Sequence, residues 1–472
     1  MTIDPDRSKS SNGPAPALRA CAAADARTCR SGRRLSGLRT GLLAASLLLT
    51  GCPGGDDSVF GDRPDLVGSY GATTDAQFVV RYMKDWYLWN DTLGLAPSED
   101  YPSGQAAIDA LKYRDDRFSN VASADDYNRF FDEGKTIGFG FSYRIEDDQQ
   151  SIRLLMVQSE SPARRAGLQR GDVIEAIDDV TVATLIAQES LGAALGPLEE
   201  GIVRRFAVRR DGNAQSVSVT KALYDISYVM GDAVFEQGGR KIGYVNFYSF
   251  ANLGVAPWRE ALDRLIAQGA QDIIVDLRNN GGGLLSTTAT IGAALGSGSL
   301  GNSLMSRLTF NDGHAQENRS FAFAADPARA GRFENLVWLT GKSTCSASEA
   351  LILGLDPYRR GIRVGETTCG KPVGFTPPQF RDKVYSIVSF RLQNAQGVTD
   401  YFDGLPPDCP VSDTGTGQFG QADEPLTAAA LARLATGACA SAASADTKAL
   451  DRTHPDRLTG TRASFSRMIN LW

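Results

Sequence analysis

The spacing of apolar and polar residues changes along the chain, and each change predicts a different architecture. An apolar run, Leu42 to Leu49, interrupted only by Ser46, follows Arg33, Arg34 and Arg39 and leads through small residues into Cys52. Residues 53–73 lose all periodicity in a Gly-, Asp- and Pro-rich stretch, which predicts a linker. Thr74-Asp75-Ala76-Gln77 is a capping-box pattern, after which Phe78, Tyr82, Trp86 and Trp89 recur at helical spacing. With further helical patterns at 106–112 and 124–131, a small helical domain is expected over 74–136, its aromatic stripe forming core. Between 137 and 222 the period shortens to that of strands, in "SIRLLMV" and in "VRRFAVRR" and "AQSVSVTKAL" around Asp211-Gly212-Asn213. From 223 to 440 strands and helices alternate. "KIGYVNF", "DIIVDL", "LVWLTG", "GIRVGE" and "YSIVSFRL" read as strands. "APWREALDRLIAQG", 286–295 and 348–356 read as helices, the first ending at Gly269. This alternation predicts βαβ units and an α/β core. No repeat is visible, and the tail 441–472 is polar without sustained periodicity.

Composition narrows the class. With 472 residues, 42% hydrophobic and 22% charged, the chain can build two or three globular domains. A formal charge of −6 gives no basic surface for nucleic acid. The charge is uneven: residues 1–52 hold eight Lys/Arg and three Asp/Glu, leaving 41 against 52, a net −11, in the rest. A basic region, a short apolar run and small residues make a secretory-signal pattern. The run is about half of the ~20 residues a spanning helix needs. Leu49-Thr50-Gly51-Cys52 also resembles the lipobox of bacterial lipoproteins. That resemblance implies a lipoprotein signal over 1–52, a lipid on Cys52 and an exported, membrane-attached protein of the cell envelope. A plain signal peptide with an incidental cysteine, or a short buried segment, is the competing reading. Beyond Cys52 lie Cys345, Cys369, Cys409 and Cys439, which permit two disulfides in any of three connectivities. With no Cys-x-x-Cys and two histidines in all, no metal site and no cofactor are expected.

Two stretches hold candidate chemistry. In "DLRNNGGGLL", Asp276 to Leu285, three glycines between a buried strand and a helix free backbone amides to face an anion or oxyanion. A phosphate loop is excluded because no Gly-Lys-Ser/Thr follows; a plain strand-to-helix turn stays open. In "TGKSTCSASEALILGLDPY" three hydroxyls fall within Thr344 to Ser348. Ser346-Ala347-Ser348-Glu349 is itself a capping box, on which reading Ser346 contributes only ~1 kcal/mol. A nucleophile needs a base, and the scarcity of histidine points elsewhere. Lys371, in "GETTCGKPVG", lies 25 residues downstream, after a helix and a returning strand. A lysine base must be neutral, and lowering its pKa from ~10.4 to ~7 costs about 4–5 kcal/mol, so it needs a buried apolar setting. Ser218-Val219-Thr220-Lys221 also fits Ser-x-x-Lys, but it alternates like a strand and no Lys-Thr-Gly follows. His314, in "NDGHAQ", and His454 read as surface residues.

Residues 137–222 resemble a PDZ domain of bacterial proteases. Gly138-Phe139-Gly140-Phe141 matches the carboxylate-binding loop; Ser161-Pro162-Ala163, Ala166-Gly167-Leu168 and Gly171-Asp172-Val173-Ile174 match the helix and strand that follow. Taken with "DLRNNGGGLL" and "TCSASE…GKPVG" in that order, residues 75–435 resemble the carboxy-terminal processing (tail-specific) protease family, Ser–Lys peptidases with an embedded PDZ domain, in a lipoprotein branch. The resemblance implies a multi-domain α/β protein: a small helical N-terminal domain, a PDZ β-sandwich or barrel-like domain, and a ClpP/crotonase-like α/β protease core. It implies Ser346 as nucleophile, Lys371 as base, the amides of Ala347 and of Gly282 or Gly283 as oxyanion hole, and Glu349, Asp276 and Arg278 as supports. Gly281 stands where the family has Pro, and Pro372 and Phe375 where Gly and Gln are usual, which leaves the third catalytic member open. If Lys371 faces Ser346, Cys369 approaches Cys345; the pairing expected is then Cys345–Cys369 and Cys409–Cys439, with free thiols at 345 and 369 as the alternative. The function implied is a lipid-anchored cell-envelope serine endopeptidase that takes proteins by their C-terminal tails. Membrane contact would come through the lipid on Cys52, adaptor proteins are left open, and neither nucleic acid nor metal is expected. The rivals are a catalytically silent peptide-binding scaffold and an esterase or amidase, the latter disfavoured by the PDZ domain.

Overall fold

The computed structural model describes residues 70–439; Cys52, the apolar run before it, most of the linker, and the tail with His454 lie outside the described residues. A six-stranded sheet runs in the order Val229–Gln237, Arg240–Phe247, Asp272–Asp276, Leu336–Thr340, Ile362–Gly365, Cys409–Pro410. The first pair is antiparallel and all others are parallel. Parallel neighbours require crossovers, supplied by the helices Val255–Ala267, Leu285–Leu295 and Ala347–Leu355. Asp272–Asp276 is buried at every position because both faces of the sheet are covered. Ile273 and Val275 pack into the main core, whereas Ile274 meets Leu426, Ala430 and Leu431 of the helix Pro425–Thr436. That double burial is why "DIIVDL" reads as a continuous apolar run. A second, antiparallel sheet has the order Arg319–Ala322, Leu304–Phe310, Val388–Gln393, Val373–Phe375, and its last strand begins just after Lys371.

The N-terminal helices are Asp75–Trp86, Gly104–Leu111 and Ala124–Phe131. Thr74 caps the first by accepting the Gln77 N–H at 3.2 Å, while Gln77 Oε1 takes the N–H of Thr73 instead of Thr74. Phe78, Tyr82 and Trp86 are buried, yet not in a core of their own. Phe78 stacks on Phe380 at 4.5 Å, and the strand Asn120–Ser123 pairs with Lys383–Ser386. Each ring so buried contributes roughly 1.5–3 kcal/mol, and the helical segment owes that stability to the α/β part. His314 is a correction. It is half-buried rather than simply on the surface: its ring stacks on Trp86 at 3.6 Å and Nε2 bonds Asp85 at 2.8 Å. An imidazole is an apolar plate with a polar edge, and its partners lie in a helix far away in sequence.

The PDZ segment is an antiparallel sheet in the order Phe141–Ile145, Ile152–Val157, Val173–Ile177, Val203–Arg210, Asn213–Thr220, around its own core. "AQSVSVTKAL" is not one strand. It breaks at Lys221, and Ala222–Asp225 leaves the sheet to pair with Lys135–Gly138. Among the described residues no helix is long and apolar enough to cross a membrane.

Candidate active site

The loops after Asp272–Asp276 and Leu336–Thr340 leave the carboxyl ends of neighbouring parallel strands, registered Asp276 to Leu339, so the fold sets them side by side. Asn280 joins them. Its carbonyl accepts the Cys345 N–H at 3.1 Å, its Oδ1 accepts the Gly282 N–H at 2.8 Å, and both oxygens take the Ser348 hydroxyl at 3.0 Å. Thr344 spends its hydroxyl on the Leu277 carbonyl at 2.8 Å. Thr344 and Ser348 are therefore structural and fully buried, and Ser346 is the partly exposed hydroxyl of the three. Ser346 sits at φ 56°, ψ −113°, on the turn into the helix Ala347–Leu355. A non-glycine residue held there stores about 1–3 kcal/mol of strain, a cost that concentrates at functional turns.

Gly282 and Gly283 adopt φ +110° and +139°, and a Cβ on Gly282 would fall 2.9 Å from Ser346 Cβ and 3.0 Å from Ala347 N. Only glycine leaves that space open. The Gly282 carbonyl accepts the Phe250 N–H at 2.9 Å, so in a trans peptide the Gly283 N–H points the opposite way. Ala347 opens its helix and has no intrahelical acceptor for its own N–H. Since Asn280 already holds the Gly282 amide, Gly283 and Ala347 are the amides available to an oxyanion.

Lys371 is buried beneath this turn. Its Nζ lies 3.8 Å from the centre of the Phe375 ring and 5.5 Å from that of Phe118. Burial lowers its pKa to about 7, against the opposing pull of Asp116 and Glu349. One carboxylate organises both sides. Glu349 accepts the N–H of Ser346 at 2.9 Å, of Gly370 at 2.8 Å and of Lys371 at 2.9 Å, together with the Thr368 hydroxyl. Burial pushes the Glu349 carboxyl upward, and these donors hold it back. Cys345 and Cys369 form a disulfide across the same two segments, with Cα atoms 5.2 Å apart, and Cys409 pairs with Cys439. The two sulfurs and a Glu349 oxygen lie within 4.8 Å of one another, but each sulfur is committed to the other.

Ser346, Lys371 and Gly281–Gly283 line one pocket, whose remaining wall includes Tyr127, Phe130 and Phe131 of the helix Ala124–Phe131, with Leu285 and Phe390. Asp276 and Arg278 lie elsewhere, under the glycine loop. Arg278 pairs with Asp276 at 2.8 Å and Glu424 at 2.8 Å, and Arg170 of the PDZ domain joins Asp413 and Glu424 in the same buried network. In the PDZ domain, Phe141–Ile145 is an edge strand. The Phe139 and Gly140 carbonyls accept from Ala163 and Gln158, both at 2.8 Å, which turns the N–H groups of Gly140 and Phe141 outward. Gly140 is obligatory at φ +84°, because its Cβ would fall 2.0 Å from Ser161 Cβ.

The sequence reading missed Asn280, Asp116, Phe118 and Thr368, and it treated Phe375 only as a departure. A buried lysine predicts an aromatic lining and a distant carboxylate, but not which ones.

Family models match at three places: the Peptidase S41 N-terminal domain at residues 76–120, a PDZ domain at 156–194 and Peptidase family S41 at 241–411. The carboxyl-terminal-processing protease of Synechocystis sp. is 28% identical over 291 residues, 61% of this chain and 66% of that protein. The chloroplastic carboxyl-terminal-processing peptidase 2 of Arabidopsis thaliana is 27% identical over 272 residues, 53% of this chain and 51% of it. The match thus spans between half and two thirds of these relatives' length. A Bacteroides fragilis protein assigned to the S41 proteases has the same fold, with TM-score 0.60 at 22% identity, covering 76% of this chain and 97% of that one. The chain has the multi-domain fold of the S41 peptidases, with segments similar to that family's N-terminal domain, to a PDZ domain and to its peptidase domain.

Proposed function

We propose that the protein is a serine endopeptidase in which Ser346 attacks and Lys371 serves as base, acting on chains captured by their C-terminal tails. The observation that carries this reading is Glu349, a single carboxylate that gathers the amides of a strained serine and of a neutral-tuned lysine. Ser346 Oγ bonds the substrate carbonyl carbon as its proton passes to Lys371 Nζ. The N–H groups of Ala347 and Gly283 hold the oxyanion. Collapse breaks the C–N bond, Lys371 returns the proton to the leaving amine, and water repeats the sequence to free the acyl-enzyme. No histidine is required. The outward amides of Gly140 and Phe141, beside an open strand edge, support capture of a terminal carboxylate by β-augmentation. Leu49 to Cys52 supports a lipid anchor in the cell envelope.

The test is cleavage of a reporter with an unstructured C-terminal tail, with a fluorophosphonate probe read by mass spectrometry. Labelling on Ser346, and loss of cleavage in Ser346→Ala, are expected. Cleavage that survives Ser346→Ala sinks the reading; a folded protein that neither cleaves nor labels is the silent scaffold. Mass analysis of the N-terminal fragment tests the anchor, and an unmodified Cys52 in membrane-free fractions refutes it.

A further inference from the structure

We infer that the Cys345–Cys369 disulfide is a positioning link of the catalytic pair, closing the serine turn onto the lysine segment so that its reduction lowers turnover without unfolding the protein. This rests on the Ser346–Lys371 reading above. Cys345 is the residue before Ser346, and Cys369 lies two before Lys371. The ladder between Leu336–Thr340 and Ile362–Gly365 ends at Thr340 and Gly365, short of both functional residues. Past that point the segments are held by the Cys369 N–H on the Thr344 carbonyl at 3.0 Å, by the bonds to Glu349, and by this one covalent bridge. The hydrogen bonds keep the segments folded when the bridge opens. They tolerate relative sliding that a covalent bridge forbids. Opening also adds a competing donor, because Cys369 Sγ lies 3.5 Å from the same Glu349 oxygen that accepts the Ser346 and Lys371 amides.

Access is one-sided: Cys345 is 4% exposed, whereas Cys369 is partly exposed. A dithiol reductant such as dithiothreitol attacks Cys369 Sγ as a thiolate, breaking the S–S bond and releasing Cys345 as a thiolate that takes up a proton. The second thiol of the reagent then attacks the mixed disulfide, frees the Cys369 thiol and closes the reagent into a cyclic disulfide. The protein gains two electrons and two protons, and the reagent loses them. The Cys409–Cys439 bridge joins the outermost strand of the large sheet, where Cys409 pairs with Val364, to the chain after the last helix; neither cysteine lies in the serine turn or between Cys369 and Lys371. It provides the control.

The experiment uses the full chain carrying Cys409→Ser and Cys439→Ser, beside the wild type, and a short peptide substrate whose amidated C-terminus does not engage the PDZ loop. Both are poised in dithiothreitol buffers of graded potential. Parallel samples are alkylated and mapped to count open 345–369 bridges, and melted to check the fold. The expected result is a kcat that falls about 10–100-fold as the bridge opens, the range for an ångström-scale misplacement. KM should stay within about twofold, the melt should remain cooperative, and oxidised dithiothreitol should restore kcat. Cys345→Ala with Cys369→Ala should show the same lowered kcat and no response to reductant. An unchanged kcat with both thiols mapped as open overturns the inference, as does a loss that tracks unfolding. Failure of the underlying reading shows separately, as cleavage by the oxidised protein that persists in Ser346→Ala.

Discussion

Lys221 in the PDZ domain and Lys371 beside the glycine loop both follow serines, both are buried, and burial lowers both, to about 8 and about 7. Their surroundings separate them. Lys221 Nζ donates to the carbonyls of Gly196 at 2.8 Å and Pro197 at 2.5 Å and lies 5.0 Å from the Phe139 ring. Ser218, three positions before it, is exposed on the strand Asn213–Thr220, whereas Lys221 lies buried just past that strand's end. Lys371 instead packs against Phe375 and shares a pocket with Ser346. Desolvation alone therefore does not make a base. An ammonium bonded to carbonyls is a structural pin, whereas one held over a ring and opening on a strained serine can give up its proton to chemistry.

The sharpest way to break this contrast is to remove the base. Lys371→Ala should lower kcat by roughly 10³-fold or more, the upper part of the range for general acid–base groups, on peptide substrates with and without a free tail. Turnover within tenfold of wild type would reassign the base. Gly282→Ala tests the other half of the site. Its new Cβ would crowd Ser346 Cβ and Ala347 N at a backbone angle that side chains avoid. A loss of about 10²–10³-fold in kcat is expected, as for one lost oxyanion donor. The pH midpoint should not move, since Lys371 is untouched; a shifted midpoint would mean that the glycine tunes the lysine.

The lowered pKa has a sign that can be checked. Activity should rise with pH through a midpoint near 7 as Lys371 loses its proton. For stability, the unfolded lysine titrates near ~10.4, so between about 7 and ~10.4 the unfolded chain binds more protons and stability climbs with pH. Below the folded value the full penalty applies, an upper bound of roughly 5 kcal/mol. Lys371→Met keeps the bulk and removes the charge. It should be inactive yet more stable than wild type at pH 6, by up to a few kcal/mol, with the gain shrinking toward pH 10. Denaturant melts at the two pH values measure this, and a variant less stable at pH 6 would show that the lysine is paid for by contacts not considered.

Much of this contrast was legible beforehand, for physical reasons. Ser346, Lys371 and the glycine run sit at the ends of buried strands, where short local patterns mark them. Strand alternation told Lys221 from a helical Ser-x-x-Lys pair. What escaped depends on partners far along the chain. That the Gly282 amide is already taken turns on the Asn280 side chain, which no pattern of glycines encodes. The packing of Lys371 on the Phe375 face, and of His314 on Trp86, are likewise products of tertiary contact.

The smallest effect belongs to Lys221→Met. Removing its ammonium leaves the Gly196 and Pro197 carbonyls without that donor, which costs about 1–3 kcal/mol. The same substitution relieves a buried charge, and the two terms oppose, so the net change in stability should fall within about 1 kcal/mol. On a short amidated peptide kcat should stay within about twofold, because the PDZ domain takes no part in that cleavage. On a peptide with a free C-terminus a shift of a few-fold in affinity is expected, since Lys221 packs against Phe139 of the carboxylate loop. Fluorescence anisotropy with acid and amide peptides reads that shift, alongside turnover on the short substrate. A fall of more than about tenfold in kcat on the amidated peptide would place Lys221 in the chemistry and end the distinction between the two lysines.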